Sequence, residues 1–141
     1  MPKIINSNYA GIHLNGINTS NVINNTIINS VTGFMASSLG GDDNTFNCNL
    51  FINNEDQDMQ IKGVNNKSKF LENKFSGLPT FLSQNINLVS ANVHPFQGTA
   101  ARPADNCFME NAQADLNITG PPFPEFEFTY RYFESATQDN C

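Results

Sequence analysis

The sequence predicts an all-β fold, a right-handed parallel β-helix (a solenoid) of about four coils with a C-terminal capping segment. Three observations predict it: a regularly recurring apolar–Asn block, short alternating apolar triplets, and 23 asparagines among 141 residues. Asparagine tolerates the left-handed backbone region and hydrogen-bonds within its own turn. A chain with tight turns at regular intervals therefore favours this residue.

The recurring block consists of an apolar residue, two variable positions, Asn, one variable position and a second apolar residue. It occurs at residues 22–27, 46–51 and 70–75, so each copy begins 24 residues after the previous one. Residues 108–111 repeat its first half. Repeats with a constant period indicate stacked units, because one unit cannot bury its own apolar side chains. The first apolar positions are expected to stack in the interior: Val22, Phe46, Phe70 and Phe108. The asparagines are expected to form a ladder at one corner in the left-handed conformation: Asn25, Asn49, Asn73 and Asn111.

A second strand of each coil is predicted from apolar triplets at residues 12–14, 34–36, 59–61 and 86–88. These triplets mostly alternate apolar and other residues, which is the period of a half-buried strand. His13 lies between two apolar residues that face inward, so its side chain is expected to point outward. An antiparallel β-sandwich with Asn-rich turns is the alternative fold, but a sandwich has no reason to keep so constant a spacing.

These blocks resemble the parallel β-helix repeats of the pectate-lyase-like superfamily over about residues 9–118. The Asn106-Cys107-Phe108 segment is similar to one near the end of Asn-rich β-helix proteins of bacterial surfaces. The resemblance implies the fold more firmly than any function. Enzymes of that superfamily use acidic residues that bind calcium or act as acid and base, with Arg or Lys assisting.

The chain is predicted to divide into β-helix coils over residues 1–92 and a last partial coil with a cap over residues 93–141. Five prolines interrupt the rhythm after residue 92. Residues 125–132 alternate so that four aromatic side chains share one face of a strand: Phe126, Phe128, Tyr130 and Tyr132. This strand is expected to cap the solenoid, since open ends expose apolar core and unpaired edges. The alternative is an aromatic platform that contacts a glycan or a partner.

The cysteines and the start of the chain bear on location. A disulfide between Cys107 and Cys141 would staple the tail, and three unpaired thiols are the alternative. The first residues contain no apolar signal-peptide core. We expect an extracellular or cell-surface region whose export signal lay upstream, with a cytoplasmic protein as the alternative.

Charge and motifs limit the classes of function. The net charge of −6, with only seven Lys+Arg, argues against nucleic-acid binding. No cofactor is expected, although calcium is the candidate ion for the acidic segments 42–43 and 55–58. Neither segment matches the calcium-loop motif, so solvated loops are favoured.

The sequence therefore predicts a non-enzymatic structural or adhesive module that is part of a larger surface protein or assembly. The alternative is a carbohydrate-active domain (a lyase or hydrolase) or a glycan-binding domain. The expected partners are neighbouring subunits or the rest of a longer solenoid at the N-terminal end, and a glycan as a further candidate. The sequence contains no apolar run of 18 residues, so it predicts no membrane-spanning helix.

Overall fold

The structure is a computed structural model, and every assigned element in its described part is a β-strand. It describes residues 2–16, 19–37, 44–64, 68–78, 83–92, 94, 96–97, 104–108, 114–120, 127–128 and 131–132. No helix long and apolar enough to cross a membrane occurs among these residues.

The strands assigned within these ranges are mostly short. They are β1 Lys3–Ile5, β2 Ala10–Asn15, β3 Asn21–Ile23, β4 Thr26–Ile28, β5 Thr32–Ser37, β6 Thr45–Asn47, β7 Leu50–Ile52, β8 Gln57–Val64, β9 Lys69–Leu71, β10 Lys74–Ser76, β11 Gln84–Asn92, β12 Phe96–Gln97, β13 Cys107–Phe108, β14 Ala114–Thr119, β15 Glu127–Phe128 and β16 Arg131–Tyr132.

The strands pair in parallel with strands of the neighbouring repeat. One sheet has the order β1-β4-β7-β10-β13-β16, a second β14-β11-β8-β5-β2, a third β3-β6-β9, and β12 pairs with β15. In the third sheet Val22 lies opposite Phe46 and Phe46 lies opposite Phe70, so the strand register equals the spacing of the sequence blocks. Parallel sheets with this register are compatible with a parallel β solenoid.

The interior consists of columns of apolar side chains, one from each repeat. Phe46 and Phe70 are fully buried and Val22 is 8% exposed. The ring of Phe34 from the second sheet lies 4.5 Å from the ring of Phe46. The columns of different sheets therefore meet in one core. Their buried residues form one contiguous hydrophobic cluster.

The last apolar column differs from the one that the sequence predicts. The sequence blocks align Phe108 with Phe70, but the register places it opposite Phe75, whose ring stacks on it at 5.2 Å. Phe75 stacks in the same way on Phe51. The predicted alignment was wrong because the third repeat is longer than the first two, so a fixed spacing no longer locates equivalent residues.

The asparagine ladder contains Asn25, Asn49, Asn73 and, as its fourth member, Asn106. The Asn49 Oδ1 atom accepts hydrogen bonds from the backbone N and the Nδ2 of Asn25, at 3.1 and 3.0 Å. Asn73 accepts the same pair from Asn49, and Asn106 accepts it from Asn73. Each Nδ2 of the last three also donates to a backbone carbonyl of the previous repeat. Asn111, the predicted fourth member, lies outside the described residues.

The ladder asparagines are not the residues with left-handed backbone conformation. That conformation belongs to the residue before each of them: Asn24, Cys48, Glu72 and Asp105, with φ between 52° and 57°. The prediction of left-handed ladder asparagines was wrong because the turn needs its left-handed residue one position earlier. The following Asn can then direct its amide inward, against the backbone of the previous repeat.

The two described pieces of the C-terminal aromatic segment pair with strands of different sheets. Glu127–Phe128 pairs with β12, whereas Arg131–Tyr132 pairs with β13 of a different sheet. The alternation of residues 125–132 predicted one strand. Sequence alternation alone does not show where a chain passes from one sheet to another. Phe126 and Tyr130 lie outside the described residues.

Candidate functional site

The outward face of the five-stranded sheet carries a row of aligned side chains that are mostly amides, and Met35, Gln60 and Asn87 within it are each 7% exposed. Strand register aligns one residue from each strand in this row: His13, Met35, Gln60, Asn87 and Asn117. Most residues on either side of the row members face the core, as Met59 and Ile61 do with no exposed surface, whereas Ile118 beside Asn117 is 46% exposed. We call this row, together with its neighbours Gln57 and Gln84, the amide face.

Hydrogen bonds fix the side chains of the amide face. Gln60 Nε2 donates to Gln57 Oε1 at 2.7 Å. Asn117 Nδ2 donates to Asn87 Oδ1 at 3.1 Å and to Gln84 Oε1 at 3.4 Å. Each amide has both donor and acceptor atoms and no formal charge. The face is therefore ordered and polar without being ionic.

An aromatic cluster lies at the end of this face that β2 forms. Tyr9 is 59% exposed, its ring contacts the His13 ring edge-on at 5.7 Å, and its hydroxyl lies 3.3 Å from the Met35 sulfur. These two contacts hold the exposed Tyr9 ring beside His13 and Met35. No sequence feature singles out Tyr9, because it lies before the first recognisable triplet.

His13 is exposed, and its Nε2 is hydrogen-bonded to the Ser37 hydroxyl at 2.9 Å. The two residues are 24 positions apart, which is one repeat. A search for Ser and His close together in the sequence therefore misses this pair, whereas a search at the repeat spacing finds it. A serine–histidine pair becomes a nucleophilic centre when a third group orients the histidine. In this structure the pair forms a hydrogen bond between β2 and β5.

Asp58 corrects the prediction of a solvated acidic loop at residues 55–58. Glu55 and Asp56 are exposed, but Asp58 belongs to β8 and is only 1% exposed. Its Oδ1 accepts a hydrogen bond of 2.8 Å from Asn54 Nδ2, whereas its Oδ2 has no hydrogen-bond partner. Burial raises the pKa of Asp58 to about 7, against the smaller opposing effect of the Asn54 bond.

The reason for this burial is the position of Asp58 in the stack. Strand register places it over Gly33, which has no side chain and approaches the Asp58 backbone closely. A Cβ at Gly33 would lie 2.5 Å from the Asp58 carbonyl oxygen and 2.8 Å from a ring carbon of Phe51. Sequence composition could not reveal that Asp58, the second residue of β8, lies at this tight corner.

The two acidic segments that were weighed as calcium candidates are described only in part. Residues 42–43 lie outside the described residues, and residues 55–58 divide into exposed and buried carboxylates. Within the described ranges, no three or more His, Cys, Asp or Glu side chains are grouped closely enough to hold a metal ion.

The predicted tail residues are located only in part. Cys107 is 3% exposed, with its sulfur 3.6 Å from the Asp105 carbonyl oxygen, and Cys141 lies outside the described residues. The disulfide therefore stays a prediction. Phe128 and Tyr132 belong to the two short strands β15 and β16, which lie in different sheets.

Comparisons of this chain with protein-family models, with curated proteins and with solved structures found no match.

Proposed function

We propose that this protein is a non-enzymatic structural or adhesive module of an extracellular or cell-surface protein, folded as a right-handed parallel β-helix of about four coils. Its C-terminal segment caps the coils. The uncharged, hydrogen-bonded amide face is the observation that carries the proposal. Its partners are neighbouring subunits or further coils of a longer solenoid.

Hydrogen bonds that hold successive repeats in one register support the structural part of this role. The ladder from Asn25 to Asn106 ties four successive repeats through side-chain and backbone hydrogen bonds. Buried amides that satisfy one another specify a single arrangement, because any slip between repeats leaves donors and acceptors without partners. Stacked phenylalanines in the core have the same register.

The chemistry of the amide face favours binding of a partner over catalysis. Its aligned side chains are mostly amides, which are poor acids and bases near neutral pH. General acid–base catalysis needs a group whose pKa is near the working pH and which reaches the substrate. Asp58 has such a pKa, but its carboxyl is buried in the stack and away from the solvent.

The decisive experiment is an assay for polysaccharide degradation. The purified chain is incubated with polygalacturonate and with xylan, with and without calcium, and reducing ends and unsaturated products are measured. We expect no release above the buffer control. Release that increases with protein concentration, and that the His13→Ala substitution abolishes, would assign catalysis to the His13–Ser37 pair and overturn the proposal.

A glycan is the second candidate partner, and the position of Tyr9 favours it. The apolar face of a sugar ring packs on an aromatic ring while its hydroxyl groups bond to amides. Tyr9 provides the aromatic contact, and the half-buried amides of Gln57, Gln84 and Asn117 on the same sheet provide the polar ones. Because the aligned amides carry no charge, a neutral glycan fits them better than an acidic one.

Binding to solid polysaccharides tests this candidate. We expect the chain to sediment with microcrystalline cellulose or chitin beads, and Tyr9→Ala to weaken that binding about tenfold. Ile23→Ala is the matched control, since Ile23 is also an exposed apolar residue, 42% accessible, but lies on the three-stranded sheet. Equal loss in both variants, or binding to insoluble polygalacturonate alone, would argue against a neutral glycan at Tyr9.

A further inference from the structure

Three side chains of different chemistry lie together where β2 pairs with β5. His13 supplies an imidazole, Met35 a thioether and Tyr9 a phenol. The Tyr9 ring lies 5.7 Å from the His13 ring, centroid to centroid, and its hydroxyl donates to the Met35 sulfur at 3.3 Å. Strand register places His13 directly opposite Met35. We call these three residues the thioether cluster.

The residue types of the thioether cluster select a soft metal ion. Thioether sulfur is a ligand for Cu(I), and imidazole binds copper among other transition metals. Zinc takes four ligands, mostly from Cys, His, Asp and Glu, and calcium takes six to eight oxygens. The cluster contains one histidine and no carboxylate or thiol, so it does not meet either requirement. Cu(I), in contrast, accepts two ligands on opposite sides of the ion.

The spacing of the two strands suits an ion between His13 and Met35. Neighbouring strands lie about 4.8 Å apart. A transition metal ion bonds an imidazole nitrogen at about 2.0 Å and a sulfur at about 2.3 Å, so the two ligand atoms of a linear site are about 4.3 Å apart. Residues that pair directly on neighbouring strands therefore span such a site with only small adjustments of their side chains.

The Ser37 hydroxyl orients the imidazole. It lies 2.9 Å from Nε2 of His13. When Nε2 donates to this hydroxyl, the ring proton is on Nε2 and the lone pair is on Nδ1. Histidines that bind metals usually donate their second ring N–H to a neighbouring oxygen in this way. Ser37 is then a positioning residue for the ligand nitrogen.

The thioether is fixed before an ion binds. Met35 is only 7% exposed, and the hydroxyl of Tyr9 uses one lone pair of its sulfur, which leaves the second for a metal. His13 is exposed, so an ion reaches the site from the solvent along the imidazole. A side chain that is already ordered loses little conformational freedom on binding, and this favours affinity.

We propose that His13 and Met35 form a binding site for Cu(I), with an imidazole nitrogen and the Met35 sulfur as its two ligands. Ser37 positions the imidazole and Tyr9 positions the thioether. Binding is coordination alone and includes no covalent or redox step. The site goes beyond the structural or adhesive role and does not rest on it, so the polysaccharide assays can fail while Cu(I) binds, and the reverse.

NMR of the methionine methyl groups locates the ion. The full chain, labelled with ¹³C at these methyls, is titrated with Cu(I) under anaerobic conditions. About four equivalents are needed, because the three cysteines also bind Cu(I). The Met35→Leu variant identifies the Met35 signal. We expect this signal to shift and that of Met59, which is fully buried in the same sheet, to stay in place. Zn²⁺ should shift neither signal.

Matched histidine substitutions test the second ligand. His13→Ala removes the imidazole, and His94→Ala makes the same change at the other histidine of the sequence. The titration is repeated with a competing Cu(I) chelator, and circular dichroism verifies that each variant is folded. We expect His13→Ala to weaken binding at Met35 by at least about tenfold, since loss of an outer partner alone has that effect, and His94→Ala to leave it unchanged. An unshifted Met35 signal, an equal effect of the two substitutions, or an equal response to Zn²⁺ would each overturn the proposal.

Discussion

The buried Asp58 carboxyl should make the stability of the fold depend on pH in an unusual direction. Most carboxylates of a folded protein have lowered pKa values and stabilise it above pH 4. Burial instead raises the pKa of Asp58 from 3.8 to about 7. The folded chain therefore retains a proton on Asp58 between about pH 4 and pH 7, whereas the unfolded chain has lost it. The contribution of Asp58 to the free energy of unfolding is therefore complete below about pH 4 and is lost as the pH rises through about 7.

The size of this effect follows from the difference between the two pKa values. Each pH unit across that window corresponds to about 1.4 kcal/mol, so the whole window corresponds to about 4 kcal/mol. The Asp58→Asn substitution keeps the shape of the side chain and removes its charge. We expect Asp58→Asn to resemble the native chain at pH 4 and to be more stable than it by up to about 4 kcal/mol at pH 8.

Urea unfolding at a series of pH values, followed by circular dichroism, measures this difference. Other titrating groups cancel when the native chain and the variant are compared at the same pH. Asp56→Asn is the matched control, because Asp56 is an exposed carboxylate two residues earlier. It should change the free energy of unfolding by no more than about 0.5 kcal/mol. If the difference between the native chain and Asp58→Asn stays constant from pH 4 to pH 8, Asp58 is not a buried acid in the folded state.

Three further predictions concern the core, the ladder and the tail. Phe46→Ala should destabilise the fold by about 3–5 kcal/mol in urea unfolding, because it leaves a cavity between two stacked side chains; a loss of about 1 kcal/mol would contradict its burial. Asn73→Ala should cost at least about 2 kcal/mol in the same assay, since its neighbours lose both an acceptor and a donor, and Asn25→Ala should cost less because Asn25 is half-buried at the end of the ladder. Peptide mapping by mass spectrometry without reduction should recover Cys107 linked to Cys141 in protein from an extracellular source, and two free thiols there would refute the pairing.

The repeat spacing made much of the fold predictable. The constant spacing of apolar residues and asparagines specified that Phe46 lies between Val22 and Phe70, and the strand register has this arrangement. Only the third repeat escaped this reasoning. It includes the nine-residue strand β11 and the short strand β12, and extra residues in one repeat shift every later position. The periodic signal was lost there, so Asn106 was not recognised as a ladder member.

The candidate site was much less predictable than the fold. His13 and Ser37 meet across two strands, and Tyr9 is held by Met35 from the neighbouring repeat. None of these contacts is local in the sequence. The His13–Ser37 spacing of 24 residues follows the repeat length, whereas the Tyr9–Met35 spacing of 26 residues does not. No composition or motif marks these residues as different from ordinary strand residues.

The sequence by itself determined that this chain is a stack of parallel strands, because the same interior position recurs in successive repeats and must be buried by its neighbours. It also determined the low charge of the first forty residues. Only the tertiary structure decided that Asp58 is buried, that the left-handed residue precedes each ladder asparagine, and that polar side chains form one face. The physical reason is that these features depend on what the adjacent repeat places above and below a residue, at distances of a few ångströms, whereas the sequence records only what precedes and follows it.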